Sequence, residues 1–158
     1  MSKKIIGYTT GVYDMFHIGH LRILKKAKLN CDYLIVGVSS DELVSEYKKK
    51  LPIIPLKHRM EIVKSLSCVD KVVVQNDRDK LKAFHEIGFN VMFVGDDWKG
   101  NPLWIEFEKE LAKYNARIQY FKYTDNLSST KFTEILKSID DGRDNFWCLS
   151  LINTGMNF

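Results

Sequence analysis

The sequence predicts an α/β fold, a doubly wound sheet of five parallel strands with helices on both faces. Three observations predict it. Short β-rich runs alternate with longer amphipathic ones from end to end. Two of the short runs, Asp32–Val38 and Asn90–Val94, are almost continuously apolar, the pattern of a strand covered on both faces. A chain of 158 residues fits one domain and is long enough to bury a sizeable core.

Each element has its own signal. Lys4 to Tyr8 (KIIGY) reads as the first strand, followed by a loop from Thr9 to Asp14. From Ile18 to Leu29 the apolar residues Leu21, Ile23, Leu24 and Ala27 recur at helical spacing. The second strand is Asp32 to Val38, and Ser40-Asp41-Glu42 opens a helix. Lys48 to Leu56 (KKKLPIIPL) carries charge and two prolines and predicts a loop. A helix from Lys57 to Leu66 leads to a strand at Lys71–Gln75, then a helix at Lys80–Ile87 and a strand at Asn90–Val94. A helix from Leu103 to Tyr114, a strand from Ile118 to Phe121 and a helix from Ser129 to Ile139 complete the alternation. The domain is drawn at 1–139, with 140–158 as an apolar tail. Phe146, Trp147, Leu149, Leu151 and Ile152 predict that this tail packs on the domain or on a dimer partner.

Composition narrows the function classes. The net charge of +4 is mild and the lysines are spread out, which suits small anionic substrates and argues against a nucleic-acid partner. Cys31, Cys68 and Cys148 are odd in number and far apart, so no disulfide framework or zinc site is expected. The N-terminus lacks the apolar core of a signal peptide, and no apolar run spans a membrane. Cytoplasmic residence is the expectation.

Ligands in doubly wound sheets bind beyond the carboxyl ends of the strands, so the loops after Tyr8, Val38, Gln75, Val94 and Phe121 carry the search. The loop after the first strand is the most informative. His17 and His20 stand three apart at a helix start, on one face, with Gly19 between them keeping the backbone open to a ligand. A helix N-terminus adds N–H groups and partial positive charge, so a phosphate chain there would meet two imidazoles and a helix end together. On spacing alone the pair reads equally as a cap that packs the helix start. No third ligand in a supporting pattern accompanies the histidines, and no metal site is assigned to the protein.

GVYDMFHIGH, residues 11–20, resembles the GTFDxxHxGH signature of the cytidylyltransferases within the HxGH nucleotidyltransferase superfamily, whose fold is Rossmann-like. Asp32–Glu42, Lys57-His58-Arg59, Val69-Asp70-Lys71-Val72 and Gly95-Asp96-Asp97-Trp98-Lys99-Gly100 are similar, in order and spacing, to segments of the glycerol-3-phosphate cytidylyltransferases. The likeness covers roughly residues 3 to 139. It implies transfer of CMP from CTP, with Mg²⁺, to a small phosphorylated alcohol such as glycerol 3-phosphate, for envelope or capsule precursors. It also implies a homodimer.

The resemblance assigns roles residue by residue. His17 and His20 would donate to the α- and β-phosphates, while Thr10, Gly11, Val12, Asp14 and Gly19 form the nucleotide loop. Asp14 would orient loop or ligand groups; as a plain residue it is a turn former. A lysine of the 48–50 run would reach phosphate; the sequence does not say which, and Lys49 stands as the catalytic candidate with Lys48 and Lys50 on the substrate. Otherwise the run is a solvated loop. Arg59 would clamp the acceptor phosphate in bidentate fashion, or be a surface arginine, and Asp41 would line the acceptor side. Gly95, Asp96, Asp97 and Trp98 would recognise cytosine, Trp98 either stacking on a ring or covering the core.

The chain departs from the family at its second signature, Arg-Thr-x-Gly-Ile-Ser-Thr-Thr, where it reads Tyr123-Thr124-Asp125-Asn126-Leu127-Ser128-Ser129-Thr130. Ser128, Ser129 and Thr130 keep hydroxyls at a helix start, with Leu127 beside them. Tyr123 stands where the family has arginine and supplies no fixed charge, which bears on both CTP handling and the acceptor. Two other readings are an adenylyltransferase of the same superfamily and a nucleotide-binding regulatory protein without turnover.

Overall fold

The structure is a computed structural model and describes residues 4–122. The elements run β1 (Ile6–Gly11), α1 (Ile18–Lys28), β2 (Tyr33–Ser39), α2 (Asp41–Lys48), α3 (Leu56–Lys64), β3 (Lys71–Gln75), α4 (Lys80–Ile87), β4 (Val91–Gly95), α5 (Pro102–Ala112) and β5 (Arg117–Phe121). All five strands are parallel, in the order β3-β2-β1-β4-β5. The order reverses between β1 and β4, the switch point where ligands bind in such sheets.

Alternation along β2 builds the two layers. Leu34, Val36 and Val38 join Leu24 and Ala27 of α1, Val63 of α3, and Phe93 and Phe121 in one buried cluster. Ile35 faces the other way and packs with Tyr8, Met92, Phe89, and Phe107 and Leu111 of α5. The helices start where side chains satisfy their free N–H groups. Ser40 caps α2 (Leu43 N–H, 3.1 Å), Asp79 caps α4 (Leu81 N–H, 2.9 Å), and Asn101 caps α5 just ahead of Pro102.

The predicted α/β class, strand number and parallel order hold. The first strand is the main revision: it was expected over Lys4–Tyr8 and runs Ile6–Gly11. Thr9, Thr10 and Gly11, expected in a loop, pair with Val36, Gly37 and Val38 of β2. Thr10 and Gly11 therefore belong to the sheet, and the loop begins at Val12. The expected 48–56 loop is shorter, because Lys48 ends α2 and Leu56 begins α3. Among the described residues no helix is long and apolar enough to cross a membrane. The expected helix Ser129–Ile139, the tail 140–158, and candidates Tyr123, Leu127, Ser128, Ser129 and Thr130 lie outside the described residues.

Candidate active site

β1 and β4 hold their ladder only at Gly7–Val91 and Tyr8–Met92. Past Tyr8 the strands part, and one side-chain bond, Thr9 Oγ1 to the Phe93 carbonyl at 3.0 Å, still spans them. A cleft of about 790 Å³ opens there and runs along the carboxyl ends of β1 to β4. Of the residues singled out in the sequence, Thr10, Gly11, His20, Gly95, Asp97 and Trp98 line it. Gly95 caps a short 3₁₀ turn, Asp96–Trp98, that presents Asp97 and Trp98 to the cleft.

Two left-handed residues, Tyr13 (φ 55°) and Met15 (φ 48°), turn the chain from β1 into α1. The Asp14 carboxylate fixes that turn to a neighbouring loop. It accepts from the main-chain N–H of Met15 (3.1 Å), Ile53 (2.9 Å) and Ile54 (2.9 Å). This is a loop-orienting role, with both carboxylate oxygens engaged.

The two histidines close α1 with a capping box. Nδ1 of His17, the N-cap residue, accepts from the Gly19 N–H at 3.1 Å, and Nδ1 of His20 accepts from the His17 N–H at 3.4 Å. A ring nitrogen that accepts carries no proton, so each neutral imidazole bears its proton on Nε2. Burial, then the neighbouring His17, push His20 from the usual 6.5 to about 4, and burial also lowers His17. The rings lie 4.0 Å apart between centroids and are tilted by 31°, with Tyr13 edge-on to His20 at 5.4 Å. The pair is thus neutral near pH 7 and fixed as Nε2–H donors. His20 lines the cleft and His17 stands directly beside it.

Among the three lysines the backbone makes a distinction that the sequence hides. Lys49 is the C-cap of α2, turned into the left-handed region (φ 55°). Lys48, one residue earlier, is the lysine whose charge is felt by His20 and Asp14. Burial and the neighbouring Lys50 lower its pKa. Lys48 is thus the lysine of the run whose charge reaches His20 and helps to lower its pKa.

Arg59 does not present a phosphate clamp in this structure. Its side chain is 0% exposed. Nε donates to the Ile54 carbonyl (2.8 Å), Nη1 to the Val12 carbonyl, and Nη2 to the Ser39 carbonyl (2.9 Å) and to Asp41. Asp41 also accepts from the Leu56 N–H at 3.1 Å. Sequence placed this pair on the acceptor; the fold uses it to tie the β1–α1 loop, the end of β2 and the start of α3 together. A guanidinium opening a helix looks the same in sequence whether it faces water or three carbonyls.

The structure adds a wall that the residue-by-residue reading missed. Gln75 at the end of β3, Arg78, Asp79 and Lys80 beyond it, Tyr47 of α2 and Trp104 of α5 line the cleft. Position after a strand was the available signal, and the loop after Gln75 was named for that reason. Lys80 is pushed from 10.5 down to about 8, first by burial and then by Arg78.

Comparison with known proteins follows the same line. A family model described as Cytidylyltransferase-like matches residues 8–138. The chain is 33% identical over 138 residues to the glycerol-3-phosphate cytidylyltransferase of Bacillus spizizenii, covering 87% of this chain and 99% of that protein. It is 30% identical over 133 residues to the bifunctional protein HldE of Geobacter metallireducens, spanning 84% of this chain but 26% of that protein. Among solved structures, the lipopolysaccharide core biosynthesis protein of Thermoplasma volcanium matches with a TM-score of 0.65 at 25% identity, covering 79% of this chain and 100% of that one. With its parallel sheet, its capped histidine pair and these matches, the chain belongs to the cytidylyltransferase-like family and is a nucleotidyltransferase.

Proposed function

We propose that the protein transfers CMP from CTP to a small phosphorylated alcohol, with glycerol 3-phosphate as the first candidate, and releases pyrophosphate. An acceptor phosphate oxygen attacks the α-phosphorus; the bond to the β-phosphate breaks and its electron pair leaves with pyrophosphate. No general base is required, because a phosphate monoester is already ionised near neutral pH. Catalysis then rests on alignment and on donors aimed at developing charge.

The single observation that carries this reading is the capping box. It fixes two neutral Nε2–H donors side by side at the switch-point cleft. Lys48 contributes positive charge that reaches His20. Asp97 and Trp98 offer the base a wall at the end of β4, and Lys80 offers the acceptor phosphate a partly buried ammonium at the end of β3. Mg²⁺ bound with the triphosphate would supply charge neutralisation at the phosphates.

The test is pyrophosphate release with Mg²⁺, each of the four nucleoside triphosphates being paired with a panel of phosphorylated alcohols. CTP with glycerol 3-phosphate should be the productive pair, and His20→Ala should lower kcat about 100-fold or more, the scale of one transition-state donor lost. Release with ATP alone would replace this reading by the adenylyltransferase one. Nucleotide binding without release from any pair would favour a regulatory protein.

A further inference from the structure

We propose that a second pocket, between β3 and α4 and outside the nucleotide cleft, binds a small neutral polyhydroxyl compound, a polyol or a sugar unit, through the hydroxyl of Tyr8. The inference does not depend on the transferase reading.

The pocket measures about 290 Å³, near the lower end of the range for small-molecule sites. Topology opens it. The chain crosses from β3 to β4 through α4, over β2 and β1, so the sheet edge at β3 is covered only in part. Ile35 of β2, Val73 of β3, and Ala83 and Ile87 of α4 give the pocket apolar walls.

Tyr8 belongs to β1, two strands in from that edge, and reaches the pocket across Gly37 of β2. A Cβ at Gly37 would stand 2.6 Å from the Tyr8 hydroxyl, so a glycine there leaves room for the crossing. Tyr8 is 2% exposed, and its ring stacks on Phe89 at 5.2 Å. Among the described residues its hydroxyl makes no hydrogen bond, yet no fully enclosed side-chain oxygen or nitrogen lacks a partner. The hydroxyl is therefore not sealed in the core; it forms the polar floor of the pocket. Leaving it without a partner is unfavourable, and a ligand oxygen would relieve that. Burial first, then Asp77 and Glu86, raises its pKa, so it stays a hydroxyl that both donates and accepts.

The rim decides the charge of the ligand. Its ionised side chains are Lys71 and Lys82 against Asp77 and Glu86, with Lys82 and Asp77 paired at 2.6 Å. These charges cancel, so the rim selects neither an anion nor a cation. Gln75 lines both this pocket and the cleft. Its Oε1 accepts from Ser39 Oγ at 2.9 Å, which leaves its amide N–H groups as donors. Hydroxyl, amide and balanced charges beside aliphatic walls suit a compound that carries hydroxyls along a carbon chain or ring.

The experiment follows methyl resonances of the full chain as glycerol, xylitol or myo-inositol is added. Shifts should appear at Ile35, Val73, Ala83 and Ile87, with one of these polyols binding at a Kd of about 1–10 mM, an affinity open to so few atoms. The shifts should persist in saturating CTP, because the two sites are separate. Tyr8→Phe keeps the stacked ring and removes only the oxygen, and it should weaken polyol binding about fivefold or more. Ala83→Leu, which fills the pocket from α4, should abolish binding. No shift at those methyls with any of the polyols would overturn the proposal, as would an unchanged Kd in Tyr8→Phe or displacement by CTP. Tighter binding of free alanine than of every polyol would overturn the neutral class and make the site one for a zwitterion.

Discussion

Two histidine side chains perform tasks that are usually divided. Each Nδ1 accepts a main-chain N–H and starts α1, which puts the proton of each neutral ring on Nε2. Burial holds the His20 pKa at about 4 and lowers that of His17 as well. The sign of the pH effect follows. A folded pKa below the unfolded value means that the unfolded chain binds more protons between about 4 and 6.5, so stability is lost as pH falls through that window and is unaffected above it. Thermal unfolding recorded from pH 7.5 down to 4 should show a falling midpoint, with a shallower slope in His20→Asn; parallel slopes would deny the linkage. The His-x-Gly-His spacing was legible in the sequence, but the cap was not, because histidine is not an ordinary N-cap residue. The choice between Lys48 and Lys49 was likewise invisible, since it depends on one left-handed C-cap.

At the scale of elements, α/β alternation was readable because burial on both faces leaves continuous apolar runs and amphipathic helices leave periodic ones. β3 and α4 fall where the pattern placed them. β1 did not, since Thr9 and Thr10, though β-branched, are polar and lead into Gly11, so the apolar pattern stops at Tyr8 while the pairing with β2 runs on to Gly11. Arg59 shows the same limit in energetic form. Its donors join three segments, so Arg59→Met should strand the Val12, Ile54 and Ser39 carbonyls and leave Asp41 without its cationic partner. A loss of about 3 kcal/mol is expected from urea unfolding. A loss below about 1 kcal/mol would show that water replaces the guanidinium without cost to the fold.

For the molecule as a whole, the strand order β3-β2-β1-β4-β5 decides where the site lies, and no single segment encodes that order. It arises from which apolar faces meet, so the sequence indicated which loops to search but not that β1 and β4 would part to form the floor. Gly37, central to the sheet, tests this packing. A Cβ there would stand 2.6 Å from the Tyr8 hydroxyl and 3.0 Å from Thr10 Cγ2, so Gly37→Ala should destabilise by about 1–3 kcal/mol in thermal unfolding. A wild-type midpoint would mean that the Tyr8 ring moves aside freely. The capping histidines, finally, bear on descent. Serine at 17 and glutamine at 20 form the ordinary capping box at the same spacing, so two substitutions would remove both imidazoles and keep α1 capped at each step. On the role proposed for the imidazoles, the route to a folded, silent descendant is short and crosses no unfolded intermediate: a chain of this architecture can leave catalysis without leaving its fold.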